Sequence, residues 1–521
     1  MSSLLIRRAR VVPVTEPAAP TGAEPFAAPA TASSEPVDVL VVDGVVRAVG
    51  PALDPASEPS LAESGPVEEY AADGRWLLPG LWDQHTHLGQ WTLASSRLDL
   101  HGTRTPEEAL ARVAAAVAVD PDQPVIGSGH SAGAWLRGVS VAELDAVSGS
   151  TPVVLINSDF HHGWLNTAAL VALGLPTRNE VVRENEWYAT YPRLDELAGS
   201  PSASGGSSPA AYRRMLERAA ALGVVGMVDL EFGAPASDWV SRWGQGCDLL
   251  RIRWATYADG LDAVLAAGLR TGDPLVPGDD RLTMGPLKII SDGSLGTRTA
   301  WCCEPYVEAG PLNHGAPNQT GAELEQLLAT ATAHGLDVAT HAIGDRAVWE
   351  ALAAYARTGA RGSIEHAQLV RRDDVRAMAR LGVVASVQPA HLLDDREMTE
   401  RVWPDRTERC FALRWMLDDG VMLSLGSDAP VAPLDPWLAI AAAVGRSTDG
   451  SDPWHPEQAL TVQEALAASV DGQPTIGVGS RGDLVLVDRD PLAAGPAELA
   501  AISTDGGVAL TVVGGRVVHR A

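Results

Sequence analysis

Basic side chains are scarce in this 521-residue chain, where 39 Lys and Arg face 66 Asp and Glu and leave a formal net charge of −27 at pH 7. Nucleic acid and anionic lipid are disfavoured by that balance, so a small molecule is the expected partner. Cysteine is scarcer still. The four thiols (Cys247, Cys302, Cys303, Cys410) include one adjacent pair and no C-x-x-C spacing, which argues against a disulfide framework or a zinc knuckle and suits a reducing cytoplasm. Long apolar runs are missing too, and the N-terminal stretch puts Arg7 and Arg8 where a signal peptide needs an apolar centre. The sequence thus predicts a cytoplasmic chain that is neither exported nor membrane-spanning, and it is compatible with a homo-oligomer.

What is present is an ordinary globular balance, 46% hydrophobic and 20% charged, in a chain too long for one compact core. Two or three structural units are expected. Residues 3–12 and 38–49 read as strands, the latter folded at an Asp43-Gly44 hairpin turn. Between them, 15–36 is rich in Ala, Pro, Thr and Glu and reads as a surface loop. Residues 482–488 and 508–518 are again strand-like, so both termini (1–78 and 470–521) are expected to share one small β-sandwich. The middle alternates apolar strands with helical patterns such as 210–222, 322–334 and 375–381, which predicts βα units closing into a (β/α)₈ barrel over 79–96 and 206–469. About 110 residues part the first barrel strand from the second, far beyond an ordinary connection, so 97–205 is expected to be an inserted subdomain.

The chemistry lies at the strand ends. Leu77 to His87 reads as a buried strand ending in two imidazoles one residue apart, and side chains alternate along a strand, so His85 and His87 point the same way. Such a pair is half of a metal site, with zinc the commonest occupant. Lys288, His341, His366 and Asp428 also fall at or just after the ends of strand-like runs, and barrel enzymes place their chemistry there. Each residue also has a purely structural reading. Either histidine of the pair, alone, is compatible with a hydrogen-bonded strand end, Lys288 with a buried ion pair to Asp292 or Asp428, and Asp428 with a turn before Pro430.

The series Pro79 to His87, Lys288 to Ala300, His341 to Ala347, Ile364 to Gln368, Ser386 to His391 and Gly426 to Val431 resembles amidohydrolase family 3 of the amidohydrolase superfamily, in particular hydrolases of the N-substituted formamide deformylase type. The likeness runs in order through nearly the whole chain. It implies a distorted barrel with a flanking β-sandwich and one or two divalent metals, with Lys288 carboxylated to bridge two ions. On that pattern His85, His87 and Asp428 hold one ion and His341 and His366 a second. A metal acidifies water and polarises a carbonyl, while Asp428 takes the proton and passes it to the departing amine. The expected reaction is hydrolysis of an amide-like C–N bond, the catalytic residues being Asp428, Lys288 and His341. A cyclic-amide hydrolase or a deaminase uses the same site, and a non-catalytic binding protein on this frame would be expected to have lost ligands. All six are present.

Outside the metal shell, His161 matches a family position that reaches substrate, while His162 has no counterpart. Arg298, His391 and Asp345 fall inside motifs and suit either substrate contact or structural ion pairs. Trp135, Trp164 and Trp187 in the insertion are read first as core filling.

Overall fold

The computed structural model describes residues 3–14, 35–55, 67–94, 97–158, 160, 162–197, 208–307, 312–448 and 450–521. Most of the segment 15–36, read from sequence as a loop, lies outside them. Eight parallel strands succeed one another in chain order in the central sheet: Leu81–Thr86, Val224–Asp229, Arg251–Thr256, Asp279–Ile290, Val338–Ala342, Gly362–His366, Val384–Val387 and Leu423–Leu425. Their runs are apolar because both faces are covered. Val224, Val225, Met227, Ile252 and Leu287 are all buried in one large core shared with the surrounding helices.

Local chemistry sets those helices. The helix Gly321–His334 starts at a capping box, with the Thr320 hydroxyl on the Glu323 amide and the Glu323 carboxylate on the Thr320 amide, and it ends at Gly335, whose φ of 74° suits a residue without Cβ. Pro209–Ala221 begins with Ser208 as N-cap and proline in the first turn. The pattern at 375–381 proves to be the second half of Arg372–Leu381, whose first turn carries Asp373 and Asp374 and so lacks an apolar signal.

The eighth strand returns to the first and nearly closes the barrel. Asp428 donates its amide to His85 O at 2.7 Å, and His87 donates to Ala429 O at 2.9 Å. Asp83 staples the same seam, its Oδ1 accepting from Ser427 N at 2.9 Å and from His85 N at 3.2 Å. The seam therefore fixes the backbone of His85, His87 and Asp428 together.

Strands from both ends join one eight-stranded sheet, in which Leu484–Val487 pairs with Trp76–Pro79 and Ser3–Val11 pairs with Val37–Val42. Ser3–Val11 serves both halves: residues 4–7 run beside Glu68–Ala71 and residues 10–11 beside Trp76–Pro79. The register shift between Ile6 and Ala9, with φ of 57° at Arg8, turns the corner between them. Leu4, Ile6, Val39, Leu484 and Leu510 fill the core of this unit. Between the first two barrel strands, a separate five-stranded sheet runs from Leu98–Asp99 to Val182–Arg183. Its Trp164 and Trp187 are fully buried and Trp135 nearly so, which makes them core filling. The short turn Ala132–Ala134 of this unit packs against the helix His391–Val402 beside the barrel mouth.

Two stability predictions follow from these constraints. Gly362 opens the sixth barrel strand at φ 135°, and an added Cβ would lie 1.9 Å from Val338 O, whereas Gly74 (φ 84°) has nothing within 4 Å. Gly362→Ala is expected to cost about 3 kcal/mol or more in urea unfolding, and Gly74→Ala only about 1–2 kcal/mol. Burial pushes Asp83 up to about 6 from 3.8, against its bonds to Ser427 and His85. The folded chain holds that proton more tightly than the unfolded one, so the contribution of Asp83 is intact below pH 4 and is lost as pH rises through 6. Asp83→Asn, which keeps the acceptor, should raise the stability of chelated protein by about 1–3 kcal/mol at pH 8 and not at pH 4. Equal gains at both pH values would contradict it.

Candidate metal centre

Six side chains from five barrel strands meet at the C-terminal rim. His85 and His87 come from the first strand, Lys288 from the fourth, His341 from the fifth, His366 from the sixth and Asp428 from the turn after the eighth. His85 Nε2 lies 3.3 Å from Asp428 Oδ1 and His87 Nε2 lies 3.2 Å from the same oxygen. Ligands about 2.0–2.1 Å from a tetrahedral ion stand roughly 3.3 Å apart, the separation seen here. His366 completes a buried group with His85 and Asp428 whose donor atoms all lie within 4.8 Å of one another. The His341 ring is 4.7 Å from that of His366 and the His85 ring 5.0 Å, centroid to centroid. Lys288 Nζ is 3.2 Å from His85 Nε2. The donor set fits a divalent cation.

Protonation follows from burial. His85 is pushed down to about 4, first by desolvation and then by Lys288, so it is a neutral donor at pH 7. His366 is driven well below its ordinary value, again chiefly by burial. Burial also lowers Lys288, although Glu365 and Asp428 pull the other way, which favours an uncharged amine over an ammonium that would repel a cation. Asp428 is opposed by burial but held well below the usual carboxylate range by the imidazoles of His85, His87 and His366. The carboxylates acting on Lys288 are thus Glu365 and Asp428. Asp292 is occupied elsewhere, accepting the amides of Trp301, Ile343 and Gly344.

One orienting carboxylate, Glu365, was not singled out from the sequence. Glu365 Oε2 accepts the Nδ1 proton of His85 at 2.6 Å while its Oε1 accepts from Ser363 Oγ at 2.5 Å. Fixing Nδ1 as the donor turns Nε2 to the metal position. Asp292 Oδ1 lies 3.1 Å from His341 Nδ1, an approach without hydrogen-bond geometry. Glu365 escapes a strand reading because strict alternation sends it away from its neighbour His366. The backbone breaks the pleat there, with φ of 72° at His366 and 42° at Ala367, so both side chains reach the centre.

Other residues fall as follows. His391 opens the helix His391–Val402, its ring 6.1 Å from His366 at an interplanar angle of 24°, and its Nε2 is buried with no hydrogen-bond partner among the described residues. Arg298 donates Nη1 to Gly296 O at 2.6 Å and to the Met398 sulfur on that helix. Asp345 accepts from Cys303 N and pairs with Arg409, a structural role. His161 lies outside the described residues. His162 opens a strand of the inserted sheet and sets its ring edge-on to that of buried His130.

The model of the amidohydrolase family matches residues 68–519. The putative amidohydrolase YtcJ of Bacillus subtilis is 26% identical over 522 residues, covering 92% of this chain and 95% of its own. N-substituted formamide deformylase of Arthrobacter pascens is 26% identical over 530 residues, covering 88% and 91% respectively. The crystal structure of an uncharacterized metal-dependent hydrolase from Pyrococcus horikoshii shares the fold, with a TM-score of 0.75 at 24% identity over 95% of this chain and 99% of that one. Matched from the strand at Glu68 almost to its last residue, the chain belongs to the amidohydrolase family.

Proposed function

We propose that the protein hydrolyses an amide-like C–N bond of a small molecule, an N-formyl or N-acyl amine in the first instance. The observation behind this is the convergence of two imidazoles on one ionised carboxylate, at 3.2 and 3.3 Å, inside a group that also holds two further imidazoles and an amine. His85, His87 and Asp428 would hold one cation, His341 and His366 a second, and Lys288, carboxylated, would contribute to both. Zinc suits this nitrogen-rich set. When bound, the metal supplies a polarising charge and an acidified water at neutral pH.

The residues supply the rest. Asp428 accepts the proton of the attacking water as its oxygen bonds to the carbonyl carbon. The C–N bond then breaks, and Asp428 returns the proton to the departing nitrogen, giving a carboxylic acid and an amine. Glu365 keeps the His85 imidazole in the donor orientation throughout. His391, with a buried and unpartnered Nε2, is placed to bind a polar group of the substrate, and Arg298 and His161 are assigned the same task. The acidic surface charge and the thiol content support a cytoplasmic enzyme without nucleic-acid or membrane partners.

Asp428→Asn is expected to lower kcat about 10³-fold on whichever N-formyl or N-acyl amine wild type hydrolyses, with an unchanged circular dichroism spectrum; full activity would remove the assigned base. Glu365→Gln should weaken zinc affinity roughly 10–100-fold in a chelator competition, because the charged partner of His85 Nδ1 is gone. Lys288 is the only lysine in the chain, so protein equilibrated with ¹³C-bicarbonate and zinc should show a single carbamate carbon signal that disappears in Lys288→Ala. Its absence in wild type would exclude carboxylation.

A further inference from the structure

We infer that the pocket has a built aromatic shelf, formed by Phe232 and Tyr257, that selects amides bearing a flat apolar substituent; this rests on the amide-hydrolase reading above. Phe232 stacks on the His87 ring, centroids 5.2 Å apart and planes within 12°, and the Tyr257 ring lies 4.9 Å from Phe232 at 29°. His87 carries a metal-competent nitrogen on its edge, so the shelf begins one ring away from the reacting centre. Phe232 nevertheless leaves 48% of its surface to solvent, an unusual state for a large apolar ring beside a buried cluster.

The shelf is held rigidly. Tyr257 donates its hydroxyl to Leu230 O at 2.7 Å, and Leu230 donates its own amide to Thr86 O at 2.7 Å on the first strand. Glu231 accepts from Gln90 N at 2.7 Å, from Gln90 Nε2 at 3.2 Å and from Phe232 N at 3.1 Å. These bonds fix the Tyr257 ring and the backbone that carries Phe232, so an incoming ring meets a largely preorganised surface.

The opposite side of the pocket is polar. Phe232 and Tyr257 follow the second and third barrel strands, while His366 and His391 belong to the sixth and seventh. In an eight-stranded barrel these pairs are diametrically opposed. A substrate spanning the mouth therefore meets aromatic faces on one side and the unpartnered Nε2 of His391 on the other. An amide with a planar apolar group on either side of the C–N bond and a small polar group on the other matches both walls, since aromatic pairs gain over aliphatic ones of similar size.

Binding separates the shelf from the reaction. Metal-free protein titrated with benzamide and with acetamide should bind benzamide at least tenfold more tightly. Phe232→Ala should erase most of that difference, Phe232→Tyr should retain it, and acetamide binding should not move. With zinc bound, Phe232→Ala should raise KM for formanilide about tenfold with kcat within twofold, because a ring contact made equally in ground and transition states acts on KM. Its zinc affinity should match wild type. Equal binding of the two amides to wild type, undetectable benzamide binding, or no loss in Phe232→Ala would overturn the shelf. A variant that instead loses zinc would show that Phe232 merely packs His87. Benzamide preference without hydrolysis of any amide would leave the shelf standing and overturn the proposed reaction.

Discussion

Buried negative charge at the barrel rim governs the design. Asp428 and Glu365 are both almost fully buried carboxylates, and the amine between them is shifted by burial towards its neutral form. Two carboxylates in a low-dielectric pocket need opposite charge, and no arginine accompanies them in any described contact. His85 and His87 turn their Nε2 atoms to the same carboxylate oxygen and can offer lone pairs there in place of charge. A divalent cation would offset the carboxylates and use the lone pairs at once, and without one the same residues would form a costly cluster.

The fold provides that convergence through its seam. Asp428 lies beyond the short eighth strand, and its position rests on hydrogen bonds to the first strand at the very residues that carry the paired imidazoles. Asp83 adds a side-chain link across the same gap. Local backbone is strained to suit, with left-handed φ at both His366 and Asp428, 72° and 58°. Neither residue is glycine or asparagine, and strain of that kind persists only where surrounding packing over-determines it. The price is met by the eight-stranded core beneath.

Much of this was legible in the chain alone, and for a physical reason. Parallel barrel strands are apolar on both faces, so each stands out as a short run, and a His, Lys or Asp at its end has no place in such a run unless it serves the rim. Hence all eight strands and six converging residues could be read from position. Glu365 could not, because its inward direction depends on a pleat broken at His366. Phe232 and Tyr257 could not, because pocket walls are set by loops whose course follows from long-range bonds such as Tyr257 to Leu230. The placement of the inserted sheet was equally hidden: the packing of Ala132–Ala134 on the helix His391–Val402 joins segments more than 250 residues apart.

One compositional fact bears on the chemistry of the centre. Of the 39 Lys and Arg residues all except Lys288 are arginine, so wherever a fixed positive charge suffices for an ion pair, as at Arg251 with Asp483 or Arg253 with Asp471, guanidinium serves. A guanidinium cannot give up its proton in a protein, whereas a buried ammonium can. At position 288 burial already works against the charged form, and the amine stands 3.2 Å from a metal-competent imidazole nitrogen. The carboxylation proposed for Lys288 would depend on a nitrogen able to become a neutral nucleophile, a property that arginine lacks.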